Sequence, residues 1–494
     1  MPPSDATQAG ADQTFDQRLS AVLARVVDGF VRLIDAERLS GGASQETYRI
    51  VVETDAGQRL LAMRRAAGGE SAPQPDDTRP GLPVEALLMQ VAGRAGVPEP
   101  TIHHVLEVED GLGLGFIMEW LDGITLGARV LKAPELDAVR PRLAYQCGQA
   151  LARIHAIDPA ASGLDQHLTV MPTADFVHQM WDRYRAFDTP QPMVDFTARW
   201  LLEHLPPDSE PRLVHNDFRN GNIMFSDEGI VAVLDWEVAH LGDPIRDIGW
   251  ICTNSWRFGR RDLPVGGFGE LADLLAGYEA ESGVAVDPEH VRFWEVFGSY
   301  WWAVGCLSMA DRWRTGPDQT VERPGIARRS SECQVDCVNL IIPGPVELVA
   351  EQQSLSSMEM PSIDELIISV RNFLREDVRE VTQGRNNFMA LVASNSLDIV
   401  LRELHLGPAH VAGEHARLAA LLAGHLLADG SRAGPDSSLD QLRRALSAGL
   451  QDGSIPLDLP GLSDHLRATV VNQVAIDQPR YSGFLAAIET LPDS

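Results

Sequence analysis

The sequence predicts an α+β fold: a strand-rich first part, a mostly helical second part, and an all-α C-terminal domain. Three observations carry this. Apolar runs of strand length crowd the chain up to Leu121. After Asp122, apolar residues recur at helical spacing to about Leu340. Beyond Pro361 that spacing continues through about five helices with no strand pattern between them.

In order, residues 1–14 are small, polar and acidic and read as a disordered tail. A helix is expected over Phe15–Leu33, then strands at Glu37–Leu39, Thr47–Glu53 and Leu60–Arg64. Gly68–Pro83 is rich in Gly, Pro and Asp and reads as a loop. Val84–Ala95 has helical spacing, and Ile102–Val108 and Leu114–Trp120 read as strands. These make a first region over 15–121. The second, over 122–340, opens its helical pattern with Leu143–Ile157. Residues 341–360, with IPGP and QQSLSS, read as a linker. In the third region, 361–494, Ser362 and Glu365 form a capping-box pattern. Ile363, Leu366, Ile367, Val370, Phe373 and Leu374 follow at helical spacing. Further helices are expected over Phe388–Leu404, Glu414–Leu427, Leu439–Leu450 and Leu462–Ile476.

Composition narrows the function. The chain has 494 residues, 44% of them hydrophobic, enough for substantial cores in two or three domains. Its net charge of −29 argues against nonspecific binding to nucleic acid or an anionic membrane surface. The five cysteines are scattered and odd in number, which does not suit a disulfide framework. Cys333 and Cys337 have no second ligand pair nearby and read as structural. The N-terminus lacks a basic stretch followed by an apolar one, and no run approaches a membrane span. A cytoplasmic protein is expected.

The chemistry concentrates in LVHNDFRNGNIMFSDEGIVAVLDWE, residues 213–237. Two apolar runs, Ile223–Phe225 and Ile230–Leu234, flank the turn signal SDEG. An antiparallel hairpin returns the chain to its starting end. It therefore brings Asn222, just before the first strand, to Asp235, just after the second. Asp217 can reach the same place from the preceding loop. One amide oxygen and one or two carboxylates suit Mg²⁺, a hard cation that keeps waters and takes phosphate oxygens. A further carboxylate can accept a proton from a hydroxyl. Each residue alone is more often structural. Asp-x-x-x-x-Asn arises by chance roughly once in such a chain, and the added His cuts this to roughly one chain in fifty.

His215-x-Asp217-x-x-x-x-Asn222, followed by Asp235, resembles the catalytic loop and metal-binding segment of the protein-kinase-like fold. HNDFRNGN, LDWE and GDPIRDIGW resemble the aminoglycoside phosphotransferase family within it. The resemblance implies a bilobal fold with an antiparallel-sheet N-lobe and a mostly helical C-lobe. It implies Asp217 as catalytic base, Asn222 and Asp235 as Mg²⁺ ligands, and Asp243 and Asp247 as structural or orienting. HND and DWE replace the HRD and DFG of protein kinases, which favours a small-molecule substrate.

It also implies an ATP site upstream. Gly41, Gly42 and Ser44 lie in a Gly-rich link between strand-like segments and can approach phosphate closely. The fold expects a cation on the third strand, paired to a helix carboxylate. Arg64 and Arg65 are the candidates, with Glu85 the partner; alternation lets only one arginine point inward, and the family register selects Arg64. Glu119 and Leu121, in the segment resembling the link between lobes, are candidates to bond adenine through their main chain. SWRFG at 255–259 and FWEVFG at 293–298 resemble a subset related to the kinase-like unit of some acyl-CoA dehydrogenases. Trp301 and Trp302 read as core.

The expected function is an ATP- and Mg²⁺-dependent phosphotransferase acting on a hydroxyl of a small molecule. A hydroxyacyl-type metabolite is favoured over an aminoglycoside. The alternative is a catalytically weak kinase scaffold with a binding or regulatory role. Residues 361–490 resemble a helical domain of unknown role found beside such enzymes, a candidate protein-interaction or dimerisation module. There Asn386, Asn387, Asn395 and Arg402 read as polar contacts between helices.

Overall fold

The computed structural model describes residues 14–39, 45–69, 79–316, 318–351 and 360–489. The chain forms two compact units, each built from separated segments. The first comprises Met1–Val170, Glu210–Asp247 and Gly269–Ala285; the second comprises Met171–Ser209, Ile248–Phe268 and Val286–Ser494.

The first unit opens with a helix over Phe15–Val26, started by a capping box between Thr14 and Gln17. The helix expected to reach Leu33 stops at Val26. Gly29 then turns the chain at φ 66°, and β1 runs over Phe30–Leu39. The reason is local. Asp28-Gly29 is a turn signal, and a Cβ at Gly29 would meet the Asp55 side chain at 2.1 Å.

β2 (Gln45–Thr54), β3 (Gly57–Ala66), β4 (Ile102–Val105) and β5 (Gly115–Glu119) complete an antiparallel sheet in the order β1-β2-β3-β5-β4. β2 alternates strictly, with Tyr48, Ile50 and Val52 buried on one face. They pack with Leu19, Leu23, Leu61, Met63 and Ile117. Each such side chain contributes about 1.5–3 kcal/mol when fully buried. β4 ends at Val105, short of the expected Val108, and a 3-10 turn covers Val108–Asp110. The helix Leu82–Arg94 buries Ala86, Leu88 and Met89, and carries Glu85 inward at 1% exposure.

Also in this unit, helices Arg140–His155 and Leu271–Ser282 pack closely. Glycines allow it: a Cβ at Gly148 would meet the Leu274 carbonyl oxygen at 2.1 Å, and one at Gly277 the Tyr145 oxygen at 2.0 Å. β6 (Arg212–Val214) pairs antiparallel with β9 (His240–Gly242), and β7 (Ile223–Ser226) with β8 (Gly229–Val233).

The second unit is helical. Pro192–Glu203 and Ser330–Ile341 share one core with Gly384–Leu421, Leu439–Asp452 and Leu462–Asp477, through residues such as Phe196, Val335, Leu418, Leu446 and Val471. Arg467 reaches the carbonyls of Ile342 and Pro343, and Asn472 accepts the N–H of Val349, so this stretch is held although it forms no helix. Arg402 donates to the Ile476 carbonyl at 2.5 Å, a polar contact between helices.

One helical reading is corrected. Phe388–Leu404 and Glu414–Leu427 are not separate: one helix runs Gly384–Leu421 through Pro408. Tertiary packing of its flanking turns overrides the breaking tendency of Gly407-Pro408. The helix Ile363–Phe373 starts at the Ser362–Glu365 capping box, and its face of Ile363, Leu366, Val370 and Phe373 is exposed. The helix Ser482–Glu489 was not anticipated from sequence. No helix among the described residues is long and apolar enough to cross a membrane.

Candidate active site

The catalytic-loop segment is positioned by a buried carboxylate. Asp247, wholly inaccessible, accepts the N–H groups of His215 at 2.8 Å and Asn216 at 2.7 Å, and lies 3.1 Å from His155 Nε2. These donors hold its carboxyl below the ordinary range although burial acts in the opposite sense. Asn216 adopts φ 65°, and its side-chain oxygen accepts from Arg246 Nε at 3.0 Å. The turn places His215 beneath the next residues. Its Nδ1 accepts the Asp217 N–H at 3.2 Å, so the ring proton sits on Nε2, which donates to the Leu234 carbonyl at 3.1 Å. Burial pulls this imidazole below its usual pKa despite the carboxylates around it, which suits that neutral tautomer.

The hairpin supplies the second half. Phe225 pairs with Ile230 and Ser226 with Gly229, closing the turn. At the open end the Leu234 N–H donates to the Asn222 carbonyl at 2.7 Å. Asn222 and Asp235 are thus neighbours across the ribbon. Asn222 is 6% exposed and turns Nδ2 toward Asp217, at 2.6 Å from Oδ2 and 3.0 Å from the main-chain oxygen. Arg219 also holds Asp217, Nε to Oδ1 at 2.9 Å and Nη2 to Oδ2 at 3.1 Å. Asp235 adopts φ 70°, an uncommon backbone for a residue with a Cβ.

Arg64 points from β3 into this centre. Its Nη1 lies 2.9 Å from Glu85 Oε1 and its Nη2 2.5 Å from Asp235 Oδ1, while Nε bonds Gln45 Oε1. Arg65 faces the other side of the sheet and pairs with Glu46 at 2.7 Å. Burial pushes the Asp235 carboxyl up, but the Arg64 charge and hydrogen bond more than offset this and hold it low. Burial pushes Glu85 up to about 7 against the pull of Arg64. Glu237, near Arg79 at 3.4 Å and Gln45 at 3.4 Å, is pushed up by burial and then by Asp235.

Glu119 ends β5, opposite Leu61 on β3. That is three register steps from Arg64, roughly 10 Å along the strand. Its N–H donates to the Thr101 carbonyl at 2.8 Å, and Leu121 follows in the half-buried connecting segment. Gly41, Gly42 and Ser44 lie outside the described residues.

The sequence pattern assigns Gln45 no role. Gln45 opens β2 beside the Gly-rich link, a position that could have flagged it. Trp236 was also passed over: it is buried, its ring lies 4.5 Å from that of His215 at a tilt of 49°, and it donates to Glu99 at 3.1 Å. Among the described residues no group of three or more His, Cys, Asp or Glu forms a metal cage. One amide oxygen beside one carboxylate is instead the sparse, hard donor set that Mg²⁺ shares with phosphates and water.

A five-stranded antiparallel sheet joined to a loop-and-hairpin centre of this kind defines the class of kinase-like phosphotransferases. The phosphotransferase enzyme family model (APH) matches residues 35–284, half of the chain, and the protein belongs to that family. A domain of unknown function (DUF6285) matches residues 380–481. The chain is 30% identical over 262 residues to acyl-CoA dehydrogenase family member 10 of Mus musculus, covering 51% of this chain and 23% of that protein. It is 26% identical over 249 residues to family member 11 of Gallus gallus, covering 48% and 30%. The chain therefore matches about a quarter to a third of the length of these relatives. Its fold is similar to the crystal structure of a candidate aminoglycoside phosphotransferase from Ralstonia eutropha, with TM-score 0.53 and 22% identity over 65% of this chain and 97% of that one. The sheet-based N-lobe and helical C-lobe are those of this family.

Proposed function

We propose that the protein transfers the γ-phosphate of ATP to a hydroxyl of a small molecule. The observation that carries this is the ribbon register: the Leu234 N–H on the Asn222 carbonyl sets Asn222 against Asp235, within reach of both Asp217 and Arg64. In this reading Asn222 and Asp235 hold Mg²⁺, which, when bound, offsets the charge of the phosphate oxygens. Arg64, oriented by Glu85, moves from Asp235 onto the nucleotide phosphates. The Gly41, Gly42 and Ser44 link covers those phosphates, and main-chain groups of Glu119 and Leu121 receive the base.

Asp217 positions the acceptor hydroxyl. The acceptor oxygen bonds to the γ-phosphorus as the bond to the bridging oxygen breaks, and Asp217 takes the hydroxyl proton. Asn222 and Arg219 hold the Asp217 carboxylate in place for this, and in a loose transition state the proton leaves late. Arg219 must yield one of its bonds to the incoming hydroxyl.

Similarity to the acyl-CoA dehydrogenase family members supports a hydroxylated acyl compound over an aminoglycoside. A screen of ATP consumption against hydroxyacyl thioesters, free hydroxy acids and aminoglycosides tests this. Mg²⁺-dependent ADP release with the first or second set is the expected result. Turnover confined to aminoglycosides would reverse the substrate assignment, and no acceptor-dependent turnover with any set would count against the enzyme reading.

A further inference from the structure

The helix Ile363–Phe373 packs on the first half of helix Gly384–Leu421 as an antiparallel hairpin. Polar pairs set the direction. Asp364 meets His405 at 3.1 Å, while Arg371 and Arg375, further along, share Asp398 at 3.0 and 2.7 Å.

The hairpin leaves an apolar stripe uncovered. Ile363, Leu366, Val370 and Phe373 follow the 3-4-3 spacing of a heptad seam, and each is more than half exposed, at 51–56%. This stripe is not the helix's polar outer side, which is separate and carries Glu365, Ser369 and Glu376. A regular helix would next bring Asp377 and Glu380 to the seam. The π turn over Leu374–Val378 adds one residue and brings Val378 and Val381 there instead, with Val381 82% exposed.

The partner helix carries a matching stripe. Leu397, Val400, Leu404 and Val411 repeat at heptad spacing, the last three 40–46% exposed. On both helices a stripe residue stands one position before a contact between them. Ile363 precedes Asp364 and Val370 precedes Arg371; Leu397 precedes Asp398 and Leu404 precedes His405. One residue is a rotation of about 100°. Because the helices run in opposite directions, that same step turns both stripes to one side of the hairpin.

Two antiparallel helices with seams on one side are half of a four-helix bundle. The five most exposed side chains leave on the order of 500 Å² of apolar surface, the upper end for a monomer. Two copies bring together roughly 1,000 Å², where specific interfaces begin, before the second stripe is added. The open flank holds Glu365 and Glu376 rather than the basic residues of a helix lying on a membrane. An isologous contact needs only the surface already present.

We propose that a second copy of this chain covers this face, closing a four-helix bundle about a two-fold axis.

The test is sedimentation velocity of the full chain over a wide concentration range. A species of twice the 54.0 kDa chain mass is expected. Val370→Glu and Leu404→Glu should each weaken association by about tenfold or more and keep the helical spectrum, since both side chains are partly exposed in the single chain. Val381→Glu serves where either fails to fold. A monomer at every concentration would overturn the proposal, whether or not it binds phosphatidylcholine vesicles added in parallel. So would a dimer whose association survives all three substitutions.

Discussion

Arg64 Nη2 lies 2.5 Å from Asp235 Oδ1, while the same guanidinium reaches Glu85 at 2.9 Å. Residues 171 positions apart are joined by one planar fork. The side chain proposed to neutralise phosphate thus pairs with a proposed metal ligand.

Arg64→Ala should therefore cost stability as well as nucleotide binding. It leaves Glu85 buried at 1% exposure and Asp235 without their shared cation. Breaking such a pair costs about 3–5 kcal/mol. Arg64→Lys should keep the charge, lose the fork, and fall between the two proteins in both denaturant midpoint and ATP affinity. Equal stability and affinity in all three proteins would remove Arg64 from the account.

Asn222→Ala and Asp235→Asn should raise the Mg²⁺ concentration needed for half-maximal turnover by at least tenfold, with acceptor KM changed less. Turnover titrated against Mg²⁺ at fixed ATP reads this. An unchanged Mg²⁺ dependence in both variants would show that the ribbon holds no ion.

Close helix packing makes Gly148 a stability site. A Cβ there meets main-chain oxygen at 2.1 Å, and main chain cannot yield as a side chain can. Gly148→Ala should lower stability by about 1–3 kcal/mol or more, read as a fall in urea midpoint. An unchanged midpoint would mean that the helices sit farther apart.

Asp336 gives a pH signature. It is fully buried, accepts from Tyr481 at 2.6 Å and Asn254 at 2.7 Å, and burial raises its carboxyl to about 7. An unfolded chain releases this proton near pH 4. The native state holds it to about 7, so its stabilisation is full below pH 4 and is lost as pH rises through 7. At roughly 1.4 kcal/mol per unit, this is a few kcal/mol across the window. Asp336→Asn should flatten the fall in Tm between pH 5 and 8. Parallel curves for the two proteins would contradict the raised value.

Much of this was legible because it is local. The hairpin follows from two apolar runs and a turn signal, and the Ser362 capping box from two residues three apart. Local pattern did not separate the helix ending at Val26 from the strand starting at Phe30, since both are apolar and only Asp28-Gly29 lies between them. Gly407-Pro408 reads as a break, yet packing carries one helix through it. The Arg64–Asp235 pair needed the fold, since sequence offers two adjacent arginines. Nor is an arginine at this strand a sign of a retired site. The chain has one lysine, Lys132, so arginine supplies nearly all its basic side chains. That weakens the case for a non-catalytic scaffold.

The most direct measurement is acceptor-dependent ADP formation by the wild type and Asp217→Asn, with Mg·ATP affinity measured on both. Turnover should fall about 10²–10⁴-fold, with affinity within about threefold. Wild-type turnover in the variant would contradict the assignment of this centre to phosphate transfer.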